Sequence, residues 1–221
     1  MHPGHAFAAS GLAEAPKPPD SHSSGGRPMI SGAVLAGGQS RRFGRNKCLE
    51  TFRGKRLIDR AVESLAESAS LVLLVANELE PYLNVDARLV RDVIPRQGPL
   101  GGIYTALLFS PYPRVFVKAA DMPFLEPRLA RRLLTIDEKA DVVVPVLEGE
   151  YEPLLAVYHA RCIPLIARTL EEGERRIVGF YRRARVKRIE EEAWRPFDPD
   201  GRSFWNVNTA EDLERILAFE P

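Results

Sequence analysis

Short apolar runs of strand length alternate with helical patterns from residue 30 onward, and this alternation constrains the fold more than any other feature. Strands are predicted at residues 30–36, 71–76, 88–91, 114–120, 141–146 and 153–158. Helices are predicted at residues 55–68, 101–109, 126–134 and 162–172, and a last one from Asn208 or Thr209 to Phe219. Such alternation is typical of a mostly parallel sheet covered on both faces. We therefore predict an α/β fold with a mostly parallel sheet and helices on both of its faces.

Residues 1–28 differ from the rest of the chain because they are rich in Pro, Gly and Ser. Such a segment buries too little apolar area to offset its ordering entropy. We expect a disordered N-terminal extension there, followed by a single folded domain over residues 29–221. The size of that domain is typical for one hydrophobic core.

Composition and charge exclude several classes of protein. Lys and Arg number 31 and Asp and Glu number 30, so the net charge of +1 provides no general attraction to nucleic acid. The basic run at 182–188 is followed directly by acidic residues 190–192. Cys48 and Cys162 lack zinc-site spacing, and we expect both to be packed in the core. No apolar run approaches the ~20 residues that a membrane helix needs, so we expect a cytoplasmic protein.

Polar and glycine residues follow three of the predicted strands, where parallel sheets bind ligands. Adjacent glycines Gly37 and Gly38 allow a phosphate to approach the backbone, and Arg42 and Lys47 follow with positive charge. A plain glycine turn with solvated basic residues explains this segment about equally well. Asp92 and Asp121 are either ligand-binding carboxylates or, respectively, a solvated loop acid and a helix N-cap.

Five motifs, in order, distinguish these alternatives by resemblance. They are Leu35-Ala36-Gly37-Gly38 with Ser40, Arg42, Gly44 and Lys47; Arg91-Asp92 followed by residues 98–103 (GPLGGI); residues 120–124 (ADMPF); residues 172–176 (EGERR); and residues 206–213 (NVNTAEDL). The first resembles the signature L-A-G-G-x-S-x-R-(M)-G-x-x-K of sugar-nucleotide-type nucleotidyltransferases, with Phe43 where Met is usual. Together they resemble the molybdenum cofactor guanylyltransferases, the MobA family. This resemblance implies a three-layer, Rossmann-like α/β fold.

This resemblance implies an enzyme that joins GMP from GTP to the phosphate of Mo-molybdopterin, releases pyrophosphate and requires Mg²⁺. It implies GTP and Mo-molybdopterin as partners, with molybdopterin-handing proteins and recipient molybdoenzymes as further ones, and no nucleic acid or membrane. A cytidylyltransferase of the same cofactor, a sugar-phosphate nucleotidyltransferase and a non-catalytic nucleotide-binding module are the alternatives. Residues 98–102 and 206–209 favour the guanylyltransferase.

The resemblance also assigns roles to individual residues. Catalytic roles fall on Arg42, Lys47 and Asp121, with Asp121 as the metal ligand. Nucleotide binding falls on Leu35, Ala36, Gly37, Gly38, Lys47, Asp92 and Asp121. Contact with the pterin or its phosphate falls on Gly101, Arg175, Arg176, Asn206 and Asn208, although Asn208 could instead cap the last helix. A side-chain contact from residues 75–77 stays open, because the family's Asn falls at Val75 here.

Overall fold

The computed structural model describes residues 29–37, 46–209, 211, 212 and 214, with Phe52 described by its backbone only. The strands are β1 Ser31–Leu35, β2 Thr51–Phe52, β3 Lys55–Arg56, β4 Leu71–Ala76, β5 Arg88–Arg91, β6 Arg114–Ala119, β7 Val142–Leu147, β8 Glu150–Tyr151, β9 Leu155–His159 and β10 Val186–Ile189. The helices are α1 Leu57–Ala66, α2 Gly98–Phe109, α3 Pro127–Thr135, α4 Ile163–Glu171 and α5 Glu191–Trp194.

The main sheet has the strand order β10-β7-β9-β6-β1-β4-β5, with β8 paired to β7. Strands β6, β1, β4 and β5 pair in parallel, as do β7 and β10. Strand β9 is antiparallel to both of its neighbours, β6 and β7. The predicted, mostly parallel α/β sheet is thereby confirmed. The strand predicted at 153–158 is the antiparallel one and begins at Leu155.

Two hydrophobic cores, one on each face of the sheet, account for the continuous apolar character of the strands. In β4, Val72 and Leu74 belong to one core and Leu73 and Val75 to the other, because successive side chains of a strand point to opposite faces. Helices α1 and α3 contribute to the first core, and α2 and α4 to the second. The helices therefore form layers on both faces, as the sequence predicts.

Helix α1 begins at Leu57, two residues later than the helix predicted at residues 55–68, so the predicted start is wrong. Lys55 and Arg56 pair with β2 in a small antiparallel hairpin. The turn residues Arg53 and Gly54 both have positive φ angles, 46° and 77°, which suits a tight two-residue hairpin turn. Helix α2 conversely begins at Gly98, three residues earlier than expected, with a proline in its first turn.

Several sequence predictions lie outside the described residues. These are the extension at 1–28, the glycine-loop residues 38–45 and most of the last helix. None of the helices in the described residues combines the length and the apolar character of a membrane span.

Candidate functional site

The carboxyl ends of four parallel strands meet at one edge of the sheet. They are Leu35 of β1, Ala76 of β4, Arg91 of β5 and Ala119 of β6. Strand β1 lies between β4, which follows it in the chain, and β6, which the chain reaches only after β5. A ligand crevice forms where the strand order reverses in this way. The glycine loop, Asp92 and Asp121 all follow strands that end at this edge.

Lys47, Asp121 and Asn208 form a hydrogen-bonded cluster at the end of β6. The Lys47 ammonium Nζ lies 2.5 Å from Asp121 Oδ2 and 3.0 Å from Asn208 Oδ1, and it donates to both. The side chains of Lys47 and Asp121 are 18% and 22% exposed, so the pair is accessible from the crevice. The structure thus brings together two predicted catalytic residues and one predicted pterin-binding residue.

The chain segment before the last helix is held against Asp121 by backbone and apolar contacts. Val207 N–H donates to Asp121 O at 2.9 Å, and the buried Val207 side chain belongs to a small core with Leu57. Phe124 and Trp205 pack edge to face beside it, with ring centroids 6.2 Å apart. These contacts bring Asn208 to the site although it lies far from Lys47 in sequence.

Thr209, rather than Asn208, caps the last helix. Asp212 N–H donates to Thr209 Oγ1 at 3.1 Å, and Thr209 N–H donates back to Asp212 Oδ2 at 2.9 Å. This reciprocal pair is a capping box. The alternative that Asn208 serves only as the cap is therefore wrong, and its side chain contacts Lys47 instead.

A short 3-10 turn, Lys47–Leu49, sets the position of the site lysine. Asn46 caps it by accepting from Cys48 N–H at 3.2 Å, and its amide donates to the hydroxyl of the buried Tyr82. Cys48 is buried, and burial together with the charge of Asp121 raises the pKa of its thiol to about 12. Cys162 is buried as well, so both cysteines are packed in the core as predicted.

Asp92 is half-buried at the end of β5 and hydrogen-bonded to helix α2. Its Oδ1 accepts from the Thr105 hydroxyl at 3.2 Å, and the same hydroxyl oxygen accepts from Val93 N–H at 3.2 Å. Burial raises the pKa of the Asp92 carboxyl, while the Thr105 hydrogen bond opposes that rise. Among the described residues, Thr105 is the one side chain that donates to this carboxylate.

Asn77, at the end of β4, ties two loops of this edge together. Its Oδ1 accepts from Arg96 N–H at 3.2 Å, in the loop that follows β5. Its Nδ2 lies 3.9 Å from the point that a Cβ on Gly37 would occupy. Val75, the position that aligns with the family's Asn, is buried instead. Residue type alone did not identify Asn77 as the side chain that reaches the glycine loop.

The glycines of α2 are explained by packing. A Cβ on Gly101 would lie 2.9 Å from Gln97 Cβ, and one on Gly102 would lie 3.3 Å from a methyl carbon of Leu35. Both glycines are buried and allow α2 to approach the loop after β5 and strand β1 closely. Leu35 belongs to the core and packs against Gly102, and the pterin contact expected for Gly101 stays a prediction.

Glu174 organises the two arginines that follow α4. Its Oε1 accepts from the backbone N–H groups of Arg175 and Arg176, and its carboxylate pairs with the Arg176 guanidinium at 2.8 Å. Gly179 makes room for it, since a Cβ there would lie 2.6 Å from Glu174 Cγ. Among described residues, the exposed Arg175 side chain has no ion-pair partner.

Three of the basic residues in the run at 182–188 pair with acidic neighbours. Arg183 pairs with Glu172 and Arg188 with Glu190, both at 2.9 Å. Arg185 pairs with Asp141, whose pKa is lowered to about 2. Burial by itself would raise this pKa, but hydrogen bonds from the Arg185 backbone and from the Arg185 and Arg161 side chains lower it.

Glu152 is a further acidic group beside the site that sequence reasoning missed. It is half-buried before β9 and accepts from Leu154 N–H at 3.1 Å. Burial raises the pKa of its carboxyl, and the nearby charge of Asp121 adds to the rise. No spacing rule identified it, because the antiparallel course of β9 is what brings it near the charge of Asp121.

The donor atoms at Asp121 suit a hard divalent cation. Asp121 Oδ2 and Asn208 Oδ1 converge on one cationic group, the Lys47 ammonium. Mg²⁺ is usually held by one or two protein oxygens together with water and substrate phosphates. No group of three or more His, Cys, Asp or Glu suited to a metal occurs among the described residues, so an all-protein cage is not formed there. Predicted site residues Gly38 and Arg42 lie outside the described part of the chain.

Comparison with known proteins places this geometry in a family. Residues 32–187 match the MobA-like NTP transferase domain. A molybdenum cofactor guanylyltransferase from Desulfosudis oleivorans is 38% identical over 86% of this chain and 95% of its own length. A probable molybdenum cofactor guanylyltransferase from Natranaerobius thermophilus is 33% identical over 86% of this chain and 96% of its own.

A solved structure supports the same assignment. Molybdopterin-guanine dinucleotide biosynthesis protein A from Archaeoglobus fulgidus superposes with a TM-score of 0.76 and 29% identity. The match covers 86% of this chain and 100% of that one. The chain therefore belongs to the MobA-like NTP transferase family, and it is a nucleotidyltransferase.

Proposed function

We propose that this protein is a molybdenum cofactor guanylyltransferase, which transfers GMP from GTP to the phosphate of Mo-molybdopterin and releases pyrophosphate. The observation that carries the proposal is the convergence of Lys47, Asp121 and Asn208 just after the carboxyl end of β6. The names of the similar proteins from Desulfosudis and Natranaerobius supply the substrate class. We treat residues 29–221 as a single nucleotidyltransferase domain that acts in the cytoplasm.

Asp121 and Asn208 are the residues that would hold the metal. A nucleotidyltransferase family implies a divalent metal, and we propose Mg²⁺. When bound, Mg²⁺ supplies positive charge that stabilises the oxygens of the reacting α-phosphate. The Lys47 ammonium lies within hydrogen-bond distance of both oxygens, so its charge would neutralise phosphate oxygens that bind at the same place. Arg42 provides a guanidinium for the same phosphates.

The transfer needs no covalent intermediate on the protein. The thiol nearest the site belongs to Cys48, which is buried and has a pKa of about 12, so it is protonated near neutral pH. The phosphate oxygen of molybdopterin forms the new bond to the α-phosphorus, and the bond to the departing pyrophosphate breaks. The protein contributes orientation and charge stabilisation, which dominate phosphoryl-type transfer.

Base recognition is proposed for the loop after β5. An ionised carboxylate at Asp92 can accept from guanine N1–H and N2–H together, whereas adenine offers no donor at N1. Gly37 and Ala36 provide backbone next to Asn77 for the phosphates or the ribose. Leu35, which packs against Gly102, and Gly38 complete the proposed nucleotide site.

The pterin phosphate is proposed to bind at the other end of the same edge. Strand β9 begins opposite Lys118 and ends opposite Arg114, which supports a course of α4 back toward the carboxyl edge, with Arg175 and Arg176 after it. Arg176 is neutralised by Glu174, which makes Arg175 the guanidinium available to an anion. Gly101 and Asn206 stay in this proposed set.

Calorimetric titration with GTP, CTP, ATP and UTP in the presence of Mg²⁺ tests the function. We expect GTP to bind most tightly and Asp92→Asn to abolish that preference. Asp86→Asn is the matched control, because Asp86 is an exposed acid just before β5 and lies away from the carboxyl edge. Preference for CTP would indicate a cytidylyltransferase, and binding of no nucleotide would overturn the proposal. Pyrophosphate release that depends on Mo-molybdopterin identifies the acceptor.

A further inference from the structure

The buried hydroxyl of Thr105 is used differently from that of an ordinary helical threonine. A threonine inside a helix usually bonds the carbonyl four residues earlier. Thr169 of α4 does so, donating to Leu165 O at 2.9 Å. Thr105, fully buried in α2, instead donates to Asp92 Oδ1 outside its own helix. The Thr105 hydroxyl therefore serves Asp92 and not the backbone of α2.

The direction of the Thr105 hydrogen bond is determined by its second partner. Val93 N–H can only donate, and it donates to Thr105 Oγ1 at 3.2 Å. The hydroxyl proton is thus available for the Asp92 carboxylate, which favours the ionised form of that group. The buried Thr105 Oγ1 thus bonds both the Val93 backbone and the Asp92 side chain, so the Asp92 carboxylate is restrained relative to α2.

The rest of the loop is seated on the same helix face and anchored on its far side. Gly101 lies one helical turn before Thr105, and the space that a Cβ would need there is taken by Gln97 Cβ and Ile94 O. At the other side, Asn77 accepts from Arg96 N–H, and Arg96 has a positive φ of 62°. Loop 92–97 is therefore fixed between α2 and the end of β4.

We propose that Thr105 is a positioning residue for base selection, which acts by holding the Asp92 carboxylate in the one orientation that accepts from guanine. This inference rests on the proposed function, because it takes Asp92 as the base-reading group. Thr105 is itself buried and does not reach the crevice. Selectivity between bases would thus depend on a side chain behind the binding surface.

The test measures dissociation constants for GTP, ITP and ATP with Mg²⁺ in a set of variants. Thr105→Val keeps the shape and removes the hydroxyl, and we expect GTP binding to weaken roughly 10- to 100-fold, as loss of a hydrogen bond to a charged group predicts. ATP binding should change little, since adenine has no donor at N1 for Asp92. The ratio of GTP to ITP affinity should fall, and Thr105→Ser should restore it.

Thr169→Val is the control, because Thr169 is an equally buried threonine whose hydroxyl donates to its own helix and accepts from Arg183, without contact to Asp92. It should leave the three affinities unchanged. If Thr105→Val does not fold, Thr105→Ala carries the same comparison. Unchanged GTP affinity in a folded hydroxyl-free variant, or an equal loss for GTP and ATP, would overturn the inference.

Failure of the proposed function gives a different pattern. In that case the unaltered protein would show no preference for GTP, or Asp92→Asn would leave the preference intact. If GTP preference depends on Asp92 but not on Thr105, only the positioning role is wrong.

Discussion

Lys47 contacts Asp121 just after the end of β6, whereas Lys118 lies within β6, and the surroundings of the two lysines differ completely. Lys47 is 18% exposed and contacts a carboxylate and an amide oxygen at the crevice. Lys118 is fully buried on the face that packs against α1, where its ammonium nitrogen bonds the hydroxyl of Ser64. Across the sheet it pairs with Val34 and Leu155, which carry no charge.

The charge of Lys47 is available to a ligand, whereas a charge on Lys118 would be unfavourable in the core. Burial lowers the pKa of Lys118 well below its ordinary value, and no carboxylate of the described residues opposes that shift. Lys47, in contrast, has an anionic partner and is accessible to solvent, so an incoming phosphate can reach its ammonium group. We therefore expect substitutions at the first site to change activity and those at the second to change stability.

The largest expected effect is at Asp121. Asp121→Asn should lower the rate of pyrophosphate release by ~100- to 1000-fold, comparable to loss of one group that stabilises developing charge. The melting temperature should change little, because the side chain is 22% exposed. Asp200→Asn, at an exposed acid, is the control. Full activity in Asp121→Asn would contradict both the metal assignment and the first half of the comparison.

The opposite outcome is expected at Lys118. Lys118→Met should raise the free energy of unfolding by ~1–3 kcal/mol at neutral pH, the scale of burying a poorly compensated polar group. Activity should be retained. Urea unfolding followed across pH measures the effect, and Lys47→Met should reproduce none of the gain in stability.

The pH dependence of that effect has a definite sign. Because the pKa of Lys118 is lowered in the folded state, the unfolded chain binds more protons between the folded pKa and the ordinary value of about 10.4. Stability of the unaltered protein therefore falls as pH decreases through this window. The advantage of Lys118→Met should grow over the same range and level off below the folded pKa. A difference that is independent of pH throughout would count against a neutral, buried lysine.

A smaller contrast is expected between two adjacent residues. Asn208→Ala removes an oxygen that contacts Lys47, so activity should fall about tenfold, the scale of one hydrogen bond to a charged group. Thr209→Ala removes a helix cap, so the free energy of unfolding should fall by about 1 kcal/mol while most activity remains. Steady-state rates and chemical unfolding measure the pair. Equal losses of activity in both variants would show that the last helix, rather than Asn208, supports the site.

The fold could be predicted from the chain because its signals are local. Apolar runs such as 71–76 fit buried parallel strands, and the strand and helix order alone implies layers on both faces of the sheet. The boundary errors have local causes too. The hairpin at Lys55 depends on a two-residue turn with positive φ angles, which residue patterns in a helix do not reveal.

The site was predicted only in part, because chain order determines the position of some of its residues and tertiary packing determines that of others. Asp92 and Asp121 follow strands directly, so their place at the carboxyl edge is determined by chain order. Thr105 and Glu152 lacked any motif, since their roles arise from packing of α2 and from the antiparallel course of β9. The residues that neighbour Thr105 along the chain do not distinguish it from Thr169.

The sequence by itself determined the α/β fold, the strand-end carboxylates and the family, because periodicity and ordered motifs are properties of neighbouring residues. Only the tertiary structure decided that Asn208 contacts Lys47 while Thr209 caps the helix, and that Thr105 bonds Asp92. Hydrogen bonds act over about 3 Å and depend on direction. Which donor meets which acceptor is therefore settled only when distant segments are packed together.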